Sequence, residues 1–429
     1  SVASSSVART QICLVLAMEE REEGSEAKAE RLMEEFRPRF RGCLATYHPA
    51  GLPGELPGKS SNTRWAAARV QEQLESGAEG PRAVERAILT VADADSEFHR
   101  EYFAALCYHF LHAGGNDGTT PFRHLTIWQP PILHYKNYIT QPWAVRMSSF
   151  VVSEHELANL ADPNAIRMPY STYSLSASLV AAVHGWDPDW ISEDWHMALK
   201  CFFATAGRLR VTPIFLPVMN YAVEGLSLYE TFVARWKQAK RHALGFCEVC
   251  YFHEQFPRVF RTIPDTRARI VFLWRGTLLY LKLVMLHLFV GSYWSIGLIN
   301  GLLIAWFVRN EQPGDLNINS WTFLVNCICQ LVSLLSVHLV FCMSVVIFEA
   351  TKERIDGANN PAMSIFWRSK FLHVVSCVLQ SYLALPVFFA CTCGSEWIAA
   401  IKAIRTHKFD YEVAAKPVLH SSAEATRGP

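Results

Sequence analysis

The chain has 429 residues, with 40 Lys+Arg against 39 Asp+Glu and a formal net charge of +1, which removes any global electrostatic argument for nucleic-acid binding. Hydrophobic residues make up 51% and charged residues 18%. With a mean hydropathy of +0.11, the chain is too apolar for disorder and more apolar than an ordinary soluble enzyme, so part of it is expected in lipid.

Residues 1–11 are Ser-rich and lack a long apolar core, so no signal peptide is read there; the chain opens on Ser1, and a segment upstream of it is expected. TQICLVLA (10–17) is a short run of strand formers. SEAKAERLMEEF follows, and its Ala27, Leu32, Met33 and Phe36 share one helical face. CLATYH reads as a second strand, AGLPGELPG as a loop, and SSNTRWAAARVQEQLE as a helix with Ser or Asn near its start. RAILTVADADSEFH then places a strand over 87–92 directly before Asp93 and Asp95. Alternating strands and helices argue for a mostly parallel sheet, in which ligands gather at the carboxyl ends of strands.

Two carboxylates at i and i+2 on such a turn suit one divalent cation, because hard oxygen ligands favour Mg²⁺ or Mn²⁺. Short acidic turns are also common without a metal. WISEDWHMALK sets Glu193 and Asp194 ahead of an apolar-periodic segment, with Ser192 in place to cap it. The pair reads either as a helix cap or as a site where Asp194 takes a proton from a hydroxyl. ETFVARWKQAKRHALG brings Arg235, Lys237, Lys240, Arg241 and His242 together with Phe232 and Trp236. It reads either as an amphipathic helix lying on a bilayer or as a clamp for a leaving diphosphate.

Three apolar stretches follow. Residues 271–308 carry only Arg275 and Lys282, enough for one long tilted span or for a hairpin turning near Gly291 and Ser292, since a crossing needs about 20 apolar residues. Residues 321–348 and 371–393 are uncharged, the latter containing Pro386. His287, His338 and His373 lie in these runs and are read as packing or inter-helix hydrogen-bonding residues. The basic loop with Lys352, Arg354, Arg368 and Lys370 and the tail with Lys402, Arg405 and Lys408 compete for the cytosolic side, leaving three and four spans both open. The twelve cysteines are scattered, with Cys247 and Cys250 forming a lone CxxC, and are read as structural thiols in a reducing compartment.

In their order, and with the apolar stretches behind them, these motifs resemble those of the membrane-bound family 2 glycosyltransferases, the group containing cellulose, chitin and hyaluronan synthases, over roughly residues 10–400. The resemblance implies a GT-A-type (Rossmann-like) mixed sheet flanked by helices, followed by an all-α transmembrane region. It divides the chain into a cytosolic transferase domain (1–220), basic amphipathic interface helices (221–270), a region of three or four spans (271–397) and a polar tail (398–429).

The resemblance also assigns roles. LAMEE offers Glu19 or Glu20 as the nucleotide-contacting acid, and Glu19 is taken; GKSSN matches a Gly-Lys-Ala/Ser-x-x-Asn stretch through Gly58, Lys59 and Asn62. Asp93 and Asp95 are implied to hold the nucleotide-sugar and its Mg²⁺ or Mn²⁺, with Asp95 the direct metal ligand. Ser192, Glu193 and Asp194 match the Thr/Ser-Glu-Asp motif whose Asp is the catalytic base. Gln238 and Arg241 match Gln-x-x-Arg-Trp, but His242 stands where the family has the Trp that packs on the acceptor sugar. PYSTYSLSAS lies where relatives contact the acceptor, which nominates Tyr173 and Ser174 beside His242. A second departure is CLATYHPAG, which lacks the family's Asp pair after the second strand. Trp186, Trp190 and Trp195 are read as core or groove-wall residues, and His48, His99, His124, His134, His155 and His196 receive no function.

The resulting expectation is a multi-pass enzyme of the plasma membrane or Golgi. It is expected to move a sugar with inversion from a nucleotide-sugar, most commonly a UDP-sugar, to a saccharide acceptor, with polysaccharide synthesis as one outcome. The competing expectations are a one-sugar transferase to a lipid or protein, and an inactive membrane protein that only binds the nucleotide-sugar.

Overall fold

The computed structural model describes residues 1–310 apart from 116–119, 135, 138–140 and 165, scattered positions between 321 and 387, and residues 390–405. A short helix α1 (Ala8–Gln11) leads into β1 (Cys13–Glu19), and α2 (Ser25–Phe36) returns the chain to β2 (Gly42–His48). These strands pair in parallel with Glu19 beside His48, so both carboxyl ends open on the same edge. After α3 (Lys59–Ser76) and α4 (Pro81–Arg86) come β3 (Ile88–Val91), β4 (Glu97–Phe98), α5 (Tyr102–His112), β5 (Thr126–Gln129), β6 (Ile132–Leu133) and α6 (Trp143–Ala161). β7 (Tyr173–Ser176), α7 (Ala177–Ala182), α8 (Glu193–Ala204), β8 (Arg210–Pro213) and β9 (Val218–Met219) complete the sheets.

The central sheet has the order β3-β7-β5-β8, and β7 runs antiparallel to both of its neighbours. The mostly parallel sheet expected from element alternation is therefore corrected to a mixed one. Alternation reports which elements follow one another, whereas direction depends on where β7 returns, between two strands that precede it. Its residues 173–176 are all buried, as suits a strand covered on both faces.

α9 (Leu228–Ala243) starts on a reciprocal cap. Ser227 Oγ accepts from the Glu230 N–H at 3.2 Å, and Glu230 Oε2 accepts from the Leu226 N–H at 2.8 Å. α10 (Cys247–Thr262), α11 (Thr266–Val284), α12 (Val290–Asn310) and α13 (Ser395–Arg405) follow. The expected break at residue 220 is not a break in packing. Val249, Phe252, Phe272, Leu279 and Leu283 from α10 and α11 share one core cluster with Leu199, Phe202 and Phe203 of α8. Gly276 makes room for this, because a Cβ there would collide with the Phe256 ring.

Phe272, Gly276, Leu279 and Leu283 recur at helical spacing and form the buried face of α11. The opposite face leaves Val271, Trp274, Leu281 and Met285 exposed at 50–64%. Among the described residues one helical segment, Thr266–Leu288, is long and apolar enough to cross a membrane. Helical backbone continues through Gly291 and Ser292 within α12, so the chain does not turn back there, and the hairpin alternative is corrected. The other expected spans, the basic loop at 352–370, His338, His373 and the tail lie outside the described residues or are only sparsely covered.

Candidate active site

β3 ends at Val91, and Asp93 sits on the turn that leaves it, closed by the Ser96 N–H to the Asp93 carbonyl at 3.0 Å. Lys59 enters from the first residue of α3. Its ammonium lies 2.9 Å from Asp93 Oδ1 and 2.8 Å from Glu193 Oε1, and it also donates to the Ser171 carbonyl. Asn62, on the same turn of α3, donates to the Ala17 carbonyl of β1 at 2.9 Å, which ties this helix start to the first strand.

Glu193 is buried and fully engaged: the Tyr173 hydroxyl donates to its Oε2 at 2.7 Å, and Trp186 Nε1 donates to that hydroxyl at 2.7 Å. Burial alone would lower the Lys59 ammonium, but the carboxylates of Asp93 and Glu193 outweigh it and hold the group above the ordinary lysine range.

Asp194 is the carboxylate beside this ion-paired cluster. Its Oδ1 accepts the Trp195 N–H at 2.8 Å. Burial, helped by the Glu193 charge and opposed by Lys59, raises its carboxyl to about 7. A carboxyl poised there at neutral pH matches the demand on a general base. Ser192 does not cap α8 as expected. Its hydroxyl donates instead to Glu248 Oε1 on α10 at 2.7 Å, because that buried carboxylate also collects Trp190 Nε1 and the His196 ring and outcompetes the helix end.

His196 bridges Glu248 at 3.1 Å and Asp187 at 2.8 Å, and Lys200 reaches Asp187 at 2.6 Å. Burial pulls the His196 pKa down, but its two carboxylate partners raise it on balance; burial pushes Asp187 up, but its bonds with His196 and Lys200 outweigh this and bring it down to about 2. Sequence reasoning read Trp190 as a core or groove-wall residue and assigned His196 no function; in space both bond Glu248 beside the turn that carries Asp194.

Asp95 stands two residues on from Asp93, on the same turn. Its Oδ2 accepts the Tyr221 N–H at 3.0 Å, and Lys136, which packs over the Tyr221 ring, donates to its carbonyl at 3.2 Å. Among the described residues no group of three or more His, Cys, Asp or Glu is placed to hold a metal. Asp93 and Asp95 supply two hard carboxylates, a donor set that suits Mg²⁺ or Mn²⁺ when diphosphate oxygens complete the shell.

From α9, Gln238 accepts from the buried Arg235 rather than standing alone with Arg241. His242, near the end of α9, keeps solvent contact while protein surrounds its ring. That enclosure, with Arg241, Arg235 and His134 nearby, holds its imidazole well below the usual range against the pull of Asp93. The end of α9 therefore feels the carboxylate on the β3 turn.

Two nominated residues are not presented to a ligand. Tyr173 and Ser174 are 0% exposed on the middle strand β7; the Tyr173 hydroxyl serves Glu193, and Ser174 Oγ bonds Thr90 and Tyr102 at 2.8 and 3.1 Å. Their acceptor role is corrected to a scaffolding one, because both faces of the strand are covered. Glu19 lies at the carboxyl end of β1, paired with Arg21, and lines a cavity of about 60 Å³ with His48 and Glu55, which bond each other at 2.8 Å. His48 ends β2, the strand after which the sequence lacks the family's Asp pair.

Sequence reasoning overlooked Glu156 on α6 and Tyr170. Glu156 is 8% exposed with Oε2 unbonded, and the Tyr170 hydroxyl is likewise unbonded. Burial, then Asp194 and Asp93, drives the Glu156 carboxyl well above its usual range. No local signal marks it, since a lone Glu on a helix reads as a solvated face.

A family model described as glycosyl transferase family group 2 matches residues 88–308, just over half of the chain. The chain belongs to that family. The matched glycosyltransferase segment begins at β3 and takes in Asp93, Asp95, Asp194, Arg241 and α11. Among solved structures, the mannosyltransferase PcManGT from Pyrobaculum calidifontis, in complex with GDP-Man and Mn²⁺, is similar at 13% identity and a TM-score of 0.40, over 95% of this chain and 82% of that one. That likeness is too distant to transfer any contact. No curated protein matches this glycosyltransferase.

Proposed function

We propose that this family 2 glycosyltransferase is an inverting, membrane-bound enzyme that transfers a sugar from a UDP-sugar to a saccharide acceptor in polysaccharide synthesis. The observation that carries the chemistry is the cluster of Lys59, Asp93 and Glu193 beside an Asp194 carboxyl raised to about 7.

Asp194 takes the proton of an acceptor hydroxyl as that oxygen forms a bond to the anomeric carbon. The bond from that carbon to the diphosphate oxygen breaks with its electron pair, and the nucleoside diphosphate departs. Arg241 lies on the helix that reaches the cleft and offsets the developing negative charge. Asp95, with Asp93 beside it, would hold Mg²⁺ or Mn²⁺, which would supply further charge neutralisation on the diphosphate. Glu19 at the edge shared by β1 and β2 suits the nucleoside end, and Gln238 steadies Arg235 behind the clamp. His242, exposed in the cleft and held neutral, offers a flat ring to the acceptor.

The bilayer is supported by the exposed apolar face of α11, which projects away from the domain that carries the site. On this reading the catalytic domain is cytosolic, and the enzyme sits in the plasma membrane or Golgi.

The test is Asp194→Asn in purified membranes given UDP-sugars with Mn²⁺. Transfer is expected to be lost while nucleotide binding persists; an active variant removes Asp194 from the mechanism. Product length by mass spectrometry separates a polymer from a single added sugar.

A further inference from the structure

A second cavity, of about 220 Å³, lies at the seam between the sheet domain and α11, and its lining includes Arg167, Arg210, Arg275, Phe202, Thr212 and Leu279. It draws on none of the residues placed at the Asp194 cleft. Its size falls below the roughly 300–1,000 Å³ of sites for drug-sized ligands, which suits a small group rather than a nucleotide.

Three arginines face this one space, and among the described residues none is within ion-pair distance of a carboxylate. Asp162, the acid nearest Arg167 in sequence, accepts the Asn164 N–H at 2.9 Å instead. Arg167 Nε is buried with no hydrogen-bond partner. Arg275 is anchored by donating to the Gly207 and Leu209 carbonyls, and Arg210 is laid over the Phe122 ring at 4.0 Å. Two of the guanidiniums are thus held in place by contacts that leave their charge uncompensated, and the third keeps a buried donor unused. Gathering like charges around a cavity is unfavourable unless an anion joins them, and guanidinium forks match phosphate oxygens.

We propose that this cavity binds a phosphate group, through Arg167 and Arg210 with Arg275 as the fixed third charge. The inference does not depend on sugar transfer. A lipid headgroup reaching in beside α11 and a free phosphate ion share this chemistry, and the experiment separates them.

Hydrogen–deuterium exchange is followed in the full-length protein over segments 162–168 and 207–213. The additions are inorganic phosphate, phosphatidylcholine vesicles, or phosphatidylcholine vesicles containing phosphatidic acid. Protection by phosphatidic acid vesicles alone supports the site with a lipid source; protection by inorganic phosphate as well supports it with a free-ion source. In either case the R167Q/R210Q variant is expected to need at least about tenfold more of the same probe. Melting of that variant is compared with the parent, and R210Q alone, at an exposed position, provides a version that keeps the fold. No protection by any probe, equal protection by pure phosphatidylcholine, or unchanged affinity in folded R167Q/R210Q or R210Q overturns the proposal.

Discussion

Lys59 and Glu193, far apart in sequence, form an ion pair of 2.8 Å between the first residues of α3 and α8. Two helix starts that each hold part of the site are thereby locked together, and the same ammonium neutralises Asp93. Removing it leaves the carboxylates of one cleft without their counter-charge. Lys59→Met is expected to destabilise the protein by about 1–3 kcal/mol, less than a fully buried pair because the lysine is partly exposed. It is also expected to raise the Asp194 pKa further. Denaturant midpoints and the pH–rate profile check both.

In the proposed mechanism Asp194 takes a proton only when it is itself deprotonated. With its carboxyl near 7, transfer is expected to rise with pH through about 7 and to level off above it. The linkage has the opposite sign for stability. The folded state holds this proton more tightly than the unfolded chain, so stability falls as pH rises from about 4 to about 7. Asp194→Asn is therefore expected to lower kcat by about 10²–10⁴-fold and to stabilise the fold at pH 8 by about 1–3 kcal/mol. A destabilised variant at pH 8 contradicts the burial argument.

Glu156 is held protonated by burial and by its acidic neighbours. Glu156→Gln keeps the neutral shape, so stability at about pH 4, where the unfolded chain also holds much of this proton, is expected to change by less than about 0.5 kcal/mol. At pH 9 the variant is expected to exceed the parent, which loses stability as pH climbs toward its raised folded pKa. Thermal melts at the two pH values decide this.

Glu248 is completely buried and gathers Trp190, Ser192 and His196 around the turn before Asp194. Glu248→Ala strands three donors and is expected to cost about 3–5 kcal/mol. The His196 pKa is raised, so its stabilising contribution is complete below the unfolded histidine pKa and fades as pH rises through the folded value. Glu248→Gln should flatten that fall, as read by melting from pH 5 to 9.

Asp95→Ala is expected to weaken donor binding only in the presence of metal. Titration of a UDP-sugar with and without Mn²⁺ measures it, and equal loss in both arms assigns Asp95 to the nucleotide alone.

Much of the site was legible because its signals are local. A strand running into Ala-Asp-Ala-Asp, a Ser-Glu-Asp before an apolar helix and a basic helix behind them are short patterns whose geometry follows from neighbouring residues. The span of α2 was readable for the same reason. Ser192 was misjudged because a hydroxyl near a helix start has a local option, capping, and a remote one, Glu248, and only packing shows which wins. Tyr173 and Ser174 looked available because a small and aromatic segment resembles a groove wall until neighbouring strands cover it.

The sequence by itself determined the acidic and basic motifs, the α/β character of the domain and the apolar stretch that follows it, since each is written in contiguous residues. The tertiary structure alone decided the direction of β7, the junction that Glu248 makes with the Asp194 turn, and the enclosure of Glu156 among like charges. Those features arise from residues brought together across long loops, where desolvation and competing partners, rather than local spacing, set the balance.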